Sequence, residues 1–173
     1  MAGVNGGILP HTYEPDIAAI WINDTLVGEI GVETAIAGEA GVPLVLIIGD
    51  KSGIEEAKNL VKNVESVMVK EGMGGQQGKC RNWPEIEQEI MAKAKQVAQK
   101  SPKVSLLNFG SPVKMEIHLK KGPYRSLLEK HHPRLISKKD RVILCSHSVT
   151  GAWANYWAIK DEILAQLTSK KTA

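Results

Sequence analysis

The stretch "PLVLIIGDKSGIEEAKNLVKNVESVMVK", residues 43–70, decides how the rest of the chain is read. It opens with a continuous apolar run of strand length, the pattern of a strand covered on both faces. "KSGIEEAKNLVKN" follows with helical spacing, and "VESVMVK" is again a strand. A strand, a helix and a second strand joined by short links predict a βαβ unit.

Upstream, residues 17–23 read as a buried strand closed by the turn "NDT", and a helix is expected from about Glu29 to Ala40, stopped by Gly41 and Pro43. Downstream, "EGMGGQQGKC" (71–80) reads as a glycine-rich loop, and "WPEIEQEIMAKAKQVAQK" (83–100) as a helix with Ile86, Ile90, Ala94 and Val97 on one stripe. "VKMEIHLKK" (113–121) alternates, with Val113, Met115, Ile117 and Leu119 on one face, as a half-buried strand does. "DRVILCSH" (140–147) is a further strand. A last helix, from about Ala152 to Leu167, carries Trp153, Tyr156, Trp157, Ile163, Leu164 and Leu167 on its stripe, followed by a frayed tail "TSKKTA". The expectation is a single α/β domain over residues 1–173, with a mainly parallel sheet of βαβ units flanked by helices and an added strand–helix segment at the C-terminal end.

Bulk composition agrees with one sizeable core: 173 residues, 43% hydrophobic and 24% charged. Twenty-two basic residues against 19 acids give a charge of +3, spread along the chain, so no nucleic-acid partner is suggested. No run approaches the roughly 18 consecutive apolar residues of a membrane helix, and "MAGVNGGILPHTY" lacks the layout of a signal peptide. A cytoplasmic location without membrane contact is expected, with Cys80 and Cys145 as reduced thiols.

Several local patterns invite chemistry and do not sustain it. "EGMGGQQGKC" fails the phosphate-loop pattern, with Met73 at its first glycine and Cys80 at its hydroxyl position. "CSHSVTG" (145–151) lacks the glycine of a nucleophile elbow, and Ser148 or Thr150 reads more simply as a helix N-cap. His131 and His132 are adjacent and diverge, so they read as surface. Glu29, between Gly28 and Gly31 at the mouth of a helix, complements the helix dipole. On those grounds alone it is a surface acid, and His11 a loop histidine.

The combination says more. "LPHTY", "VGEIG", "AIAGEAGVPLVLIIGD" and "VMVKEG", in that order and spacing, resemble the D-aminopeptidase family of zinc metallopeptidases, of the dipeptide-transport-associated type. The resemblance runs from about Met1 to Lys70, and beyond that only the order of elements fits. It implies hydrolysis of short peptides with N-terminal D-amino acids by a water that two zinc ions activate. It places Glu29 as a zinc-binding glutamate and His11 as the catalytic histidine. The family's other zinc ligands, an acidic pair, a mid-chain histidine and a Gly-Tyr-His histidine, have no counterpart here, so the full two-zinc site is not encoded in this chain. Either the chain is the C-terminal portion of a larger enzyme, or it is a shortened relative and a non-catalytic scaffold. Apolar surface left uncovered at the first strand and the sheet edge predicts a homo-oligomer or a separate N-terminal polypeptide as partner.

Overall fold

A computed structural model describes residues 1–169 other than 3, 5, 75, 101, 102 and 139. In chain order its elements begin with β1 (Ile17–Ile22), β2 (Thr25–Val27), α1 (Glu29–Glu39), β3 (Leu46–Asp50), α2 (Lys51–Leu60), β4 (Glu65–Gly74) and β5 (Gln77–Cys80). There follow α3 (Trp83–Lys100), β6 (Val113–Leu119), α4 (Pro123–His131), β7 (Ile136–Ser137), β8 (Arg141–Ser146) and α5 (Val149–Ser169). Two compact units result, one of Met1–His11 with Val27–Asn108, the other of Thr12–Leu26 with the chain from Phe109 onward.

The first unit is built on the β3–α2–β4 crossover read from residues 43–70. β3 and β4 pair in parallel, from Leu46 opposite Glu65 to Asp50 opposite Lys70, and β5 adds an antiparallel edge. Its core gathers Ala57, Val61 and Val64 with Ile30, Leu44, Ile47, Leu60, Val104 and Leu107. Asp50 ends β3 and caps α2, its carboxylate accepting the Gly53 N–H at 2.8 Å. Residues 71–74 and 77–80 pair as antiparallel strands, where a loop was expected. A Cβ on Gly72 would stand 1.9 Å from the Gly6 carbonyl oxygen, and one on Gly78 2.2 Å from Ile8 Cδ1. The glycines there admit a neighbouring segment of chain against these strands, a need that local pattern does not reveal.

The second unit is an antiparallel sheet in the order β2-β1-β6-β8-β7. The α/β class is as expected, but parallel pairing is confined to β3 and β4 and does not dominate. The reason is long-range: β1 does not join β3 but pairs antiparallel with β6, Ile20 opposite Ile117. Asn23 and Asp24, both at positive φ, make the two-residue turn between β1 and β2. The Asn23 side chain ties that turn to the chain ahead of β6, donating to the Phe109 carbonyl at 2.9 Å and accepting the Lys114 N–H at 2.8 Å. β6 buries Val113, Met115, Ile117 and Leu119 as its alternation requires, with Trp153 and Tyr156 of α5 also in the buried core. α5 begins at Val149, three residues before the expected start, with Ser148 Oγ accepting the Gly151 N–H at 3.0 Å as its cap. Thr168 and Ser169 of the expected tail lie in this helix, and residues 170–173 lie outside the described residues. Cys80 and Cys145 are free thiols, both exposed.

The other face of this sheet is polar and centres on Glu116. Arg141 Nη1 and His118 Nε2 both meet Glu116 Oε1 at 2.7 Å, Lys114 Nζ stands 3.8 Å from Oε2, and Asp24 flanks Lys114. Burial alone would raise the Glu116 pKa, but the hydrogen bond from His118 and the charge of Arg141 outweigh it and hold the carboxyl below its ordinary value of 4.5. A depressed carboxylate stabilises the fold above its unfolded pKa, and the contribution is lost as pH falls through the folded value. Glu116→Gln is therefore expected to lower the urea stability at neutral pH by on the order of 1 kcal/mol. Denaturation curves repeated below pH 4.5 should show that difference closing, and a difference that grows in acid would be the wrong sign.

Candidate functional site

Glu29 and His11 line one cleft of about 210 Å³ in the first unit, together with Ile30, Asp50, Ser52 and Glu56. Each reaches it for a local reason. α1 starts at Glu29, the acid of its first turn, after an extended Gly28 (φ −101, ψ −162) that has no side chain to cap the helix. The capping carboxylate comes instead from α2, where Glu56 Oε1 accepts the Gly28 N–H at 2.8 Å. A Cβ on Gly28 would lie 2.8 Å from both Glu56 oxygens, so glycine is what lets that carboxylate in. Gly31 has a similar task, since a Cβ there would meet Val27 at 2.7 Å and Leu60 at 3.0 Å. Both glycines thus serve packing around the helix start.

His11 is exposed, and Leu9, at φ 52, turns the chain back beneath it. The Leu9 carbonyl lies 2.9 Å from His11 Nδ1. A carbonyl can only accept, so the proton sits on Nδ1 and the neutral ring presents Nε2 as its lone-pair nitrogen. That tautomer suits either proton transfer or metal ligation, and a backbone carbonyl behind the ring fixes its orientation.

Asp50 and Glu56 escape sequence reading as members of this cleft. Asp50 carries one signal, a polar residue at the carboxyl end of a parallel strand and ahead of a helix, where α/β sheets place ligands. Glu56 carries none, because in "KSGIEEAK" it looks like any acid on a helix surface, and its partner Gly28 is 28 residues away. Both carboxylates are already engaged with backbone amides. Among the described residues no group of three or more His, Cys, Asp or Glu is disposed to hold a metal ion. A zinc centre needs about three protein ligands, so the residues present do not make one by themselves. No helix of the described residues is long and apolar enough to cross a membrane.

A curated D-aminopeptidase of Bacillus subtilis (strain 168) is 32% identical over 74 residues, 43% of this chain and 27% of the relative. The solved structure titled "Zn-dependent D-aminopeptidase DppA from Bacillus subtilis, a self-compartmentalizing protease" superposes with a TM-score of 0.83 at 21% identity, over 94% of this chain and 59% of that one. The fold is therefore shared, and this chain spans less than two thirds of either relative's length. The family model described as D-aminopeptidase matches residues 1–145, and the chain belongs to that family.

Proposed function

We propose that this chain supplies part of a zinc peptidase centre for short peptides with an N-terminal D-amino acid. Glu29 is its metal-binding carboxylate and His11 its proton-transfer group. The observation that carries the reading is that the two residues, 18 positions apart in sequence, line one cleft. The relatives support the substrate class and the metal, since one is described as a D-aminopeptidase and the other as Zn-dependent. His11 handles the proton at Nε2 while Leu9 holds Nδ1–H, and Glu56 fixes the backbone that carries Glu29.

The further ligands come, in this reading, from the part of the relatives' fold that this chain does not span. β3 leaves one edge without a strand in the described sheet, Ile48 on it is 45% exposed, and the strand ends at Asp50 in the cleft. A strand added in parallel to that edge would end at the same cleft. Assembly of like copies is part of the proposal too, in keeping with the relative described as self-compartmentalizing. One observation favours a scaffold without catalysis, the want of a three-ligand group among the described residues.

The two readings separate in one assay. The chain is combined with the segment of DppA it does not span, and release of D-alanine from D-alanyl-D-alanine is followed with zinc present. Hydrolysis selective for the D,D over the L,L dipeptide is expected, reduced at least about 100-fold by Glu29→Ala or His11→Ala. An absence of hydrolysis, or hydrolysis indifferent to both substitutions, would establish the scaffold.

A further inference from the structure

The second unit has a cleft of its own, about 250 Å³, on the polar face of the β1–β6–β8 sheet. Strand register assembles it: Trp21 lies opposite Glu116, and His118 opposite Arg141. Its groups are only partly spent on one another. Lys114 Nζ stands 3.8 Å from Glu116 Oε2 and 4.0 Å from Asp24 Oδ1, beyond hydrogen bonding to either. Arg141 gives Nη1 to Glu116 Oε1, yet its buried Nε has no hydrogen-bond partner among the described residues and lies 3.8 Å from Asp140. An unsatisfied buried donor calls for a partner that the described residues do not provide. Glu116 spends Oε1 on Arg141 and His118, while Oε2 has, among the described residues, the Lys114 ammonium at 3.8 Å as its ion-pair partner.

The charges decide what class of ligand fits. Lys114 and Arg141 are offset by Glu116 and Asp24, so a purely anionic or purely cationic guest meets its like as well as its opposite. A guest that carries both signs a few atoms apart is matched on both sides, and the indole of Trp21 offers a flat apolar wall beside them. We propose that this cleft binds a small zwitterion, a free α-amino acid or short peptide. Its carboxylate takes the donors of Lys114 and the Arg141 guanidinium, and its ammonium faces Glu116 Oε2. The site is independent of Glu29 and His11, and the inference does not rest on the peptidase reading.

Heteronuclear NMR of the Trp21 indole N–H, assigned by its loss in Trp21→Phe, provides the test. D-Alanine and D-alanyl-D-alanine are titrated into the chain, with acetate, methylammonium and inorganic phosphate as single-charge-type probes. Both zwitterions should shift the Trp21 resonance saturably, and Lys114→Ala should weaken them about tenfold, the loss of one charge-assisted hydrogen bond. Glu29→Ala should leave the titration unchanged. Lys114 is half exposed, so its replacement does not threaten the fold. No saturable shift with either zwitterion would overturn the proposal. So would acetate or phosphate binding as tightly as the zwitterions, which would make the cleft a plain oxyanion site.

Discussion

Replacing Lys160 with methionine is expected to destabilise the second unit by about 2 kcal/mol, the cost of removing a buried ammonium from two partly exposed carboxylates. Lys160 is 2% exposed, on the same helix as Trp153, Tyr156 and Trp157. Its ammonium donates to Glu14 Oε2 and to both Asp16 oxygens, at 3.2 and 3.1 Å. It also stands 4.7 Å from the Tyr124 ring centroid and 5.5 Å from that of Trp157. Methionine fills the space but leaves the partly exposed carboxylates of Glu14 and Asp16 without their shared ammonium. Desolvation pushes the Tyr124 hydroxyl up to about 12, and the charges of Asp16 and Glu14 add to it. Tryptophan fluorescence during urea unfolding reads the effect. The double variant Lys160→Met, Asp16→Asn should recover part of the loss, since it removes one of the stranded charges. A single variant within 1 kcal/mol of wild type, on the scale of an exposed ion pair, would show that the ammonium is dispensable.

Gly38→Ala should cost about 2 kcal/mol, with a Tm lowered by roughly 4–8 °C. The direction is informative, because alanine is the better helix former by about 1 kcal/mol and would stabilise an open helix face. A Cβ on Gly38 would lie 2.3 Å from the Leu107 carbonyl oxygen and 3.2 Å from the carbonyl carbon. Backbone cannot turn aside as a flexible side chain can, so α1 or the segment around Leu107 must shift. Gly49→Ala is the matched control, with nothing within 4 Å of the added methyl. Calorimetry that finds the two variants equally stable would remove the packing argument.

These two positions also mark what the sequence discloses. The spacing of Gly31, Ala35 and Gly38 shows a small-residue face, and all three are buried. It suggests packing on a sheet, whereas Gly38 meets the Leu107 backbone and Gly31 meets Leu60 of α2. Local periodicity specifies which face is buried and leaves its partner open. Lys160 follows Trp153, Tyr156 and Trp157 at helical spacing, and nothing local tells a buried lysine from a solvated one until Glu14 and Asp16 arrive from the other end of the chain.

The same limit governs the fold and the cleft. The β3–α2–β4 crossover is contiguous and legible, and so is the alternation of β6. The pairing of β1 with β6 joins residues about a hundred positions apart, so a parallel sheet was the natural extrapolation and an antiparallel one is found. His11 and Glu29 were singled out by family resemblance, since as isolated residues they look ordinary. Glu56 emerges only when the chain is folded, because its role is to take an amide that belongs to Gly28.

The most direct test of the account is zinc content after exhaustive dialysis, measured on the chain alone and on the chain combined with the segment of DppA it does not span, each beside Glu29→Ala. One carboxylate and one imidazole fall short of the about three protein ligands a zinc ion takes. The account therefore predicts far less than one zinc per chain alone, about one or more in the combination, and a clear loss with Glu29→Ala. Stoichiometric zinc on the chain alone, or zinc in the combination that survives Glu29→Ala, would contradict it.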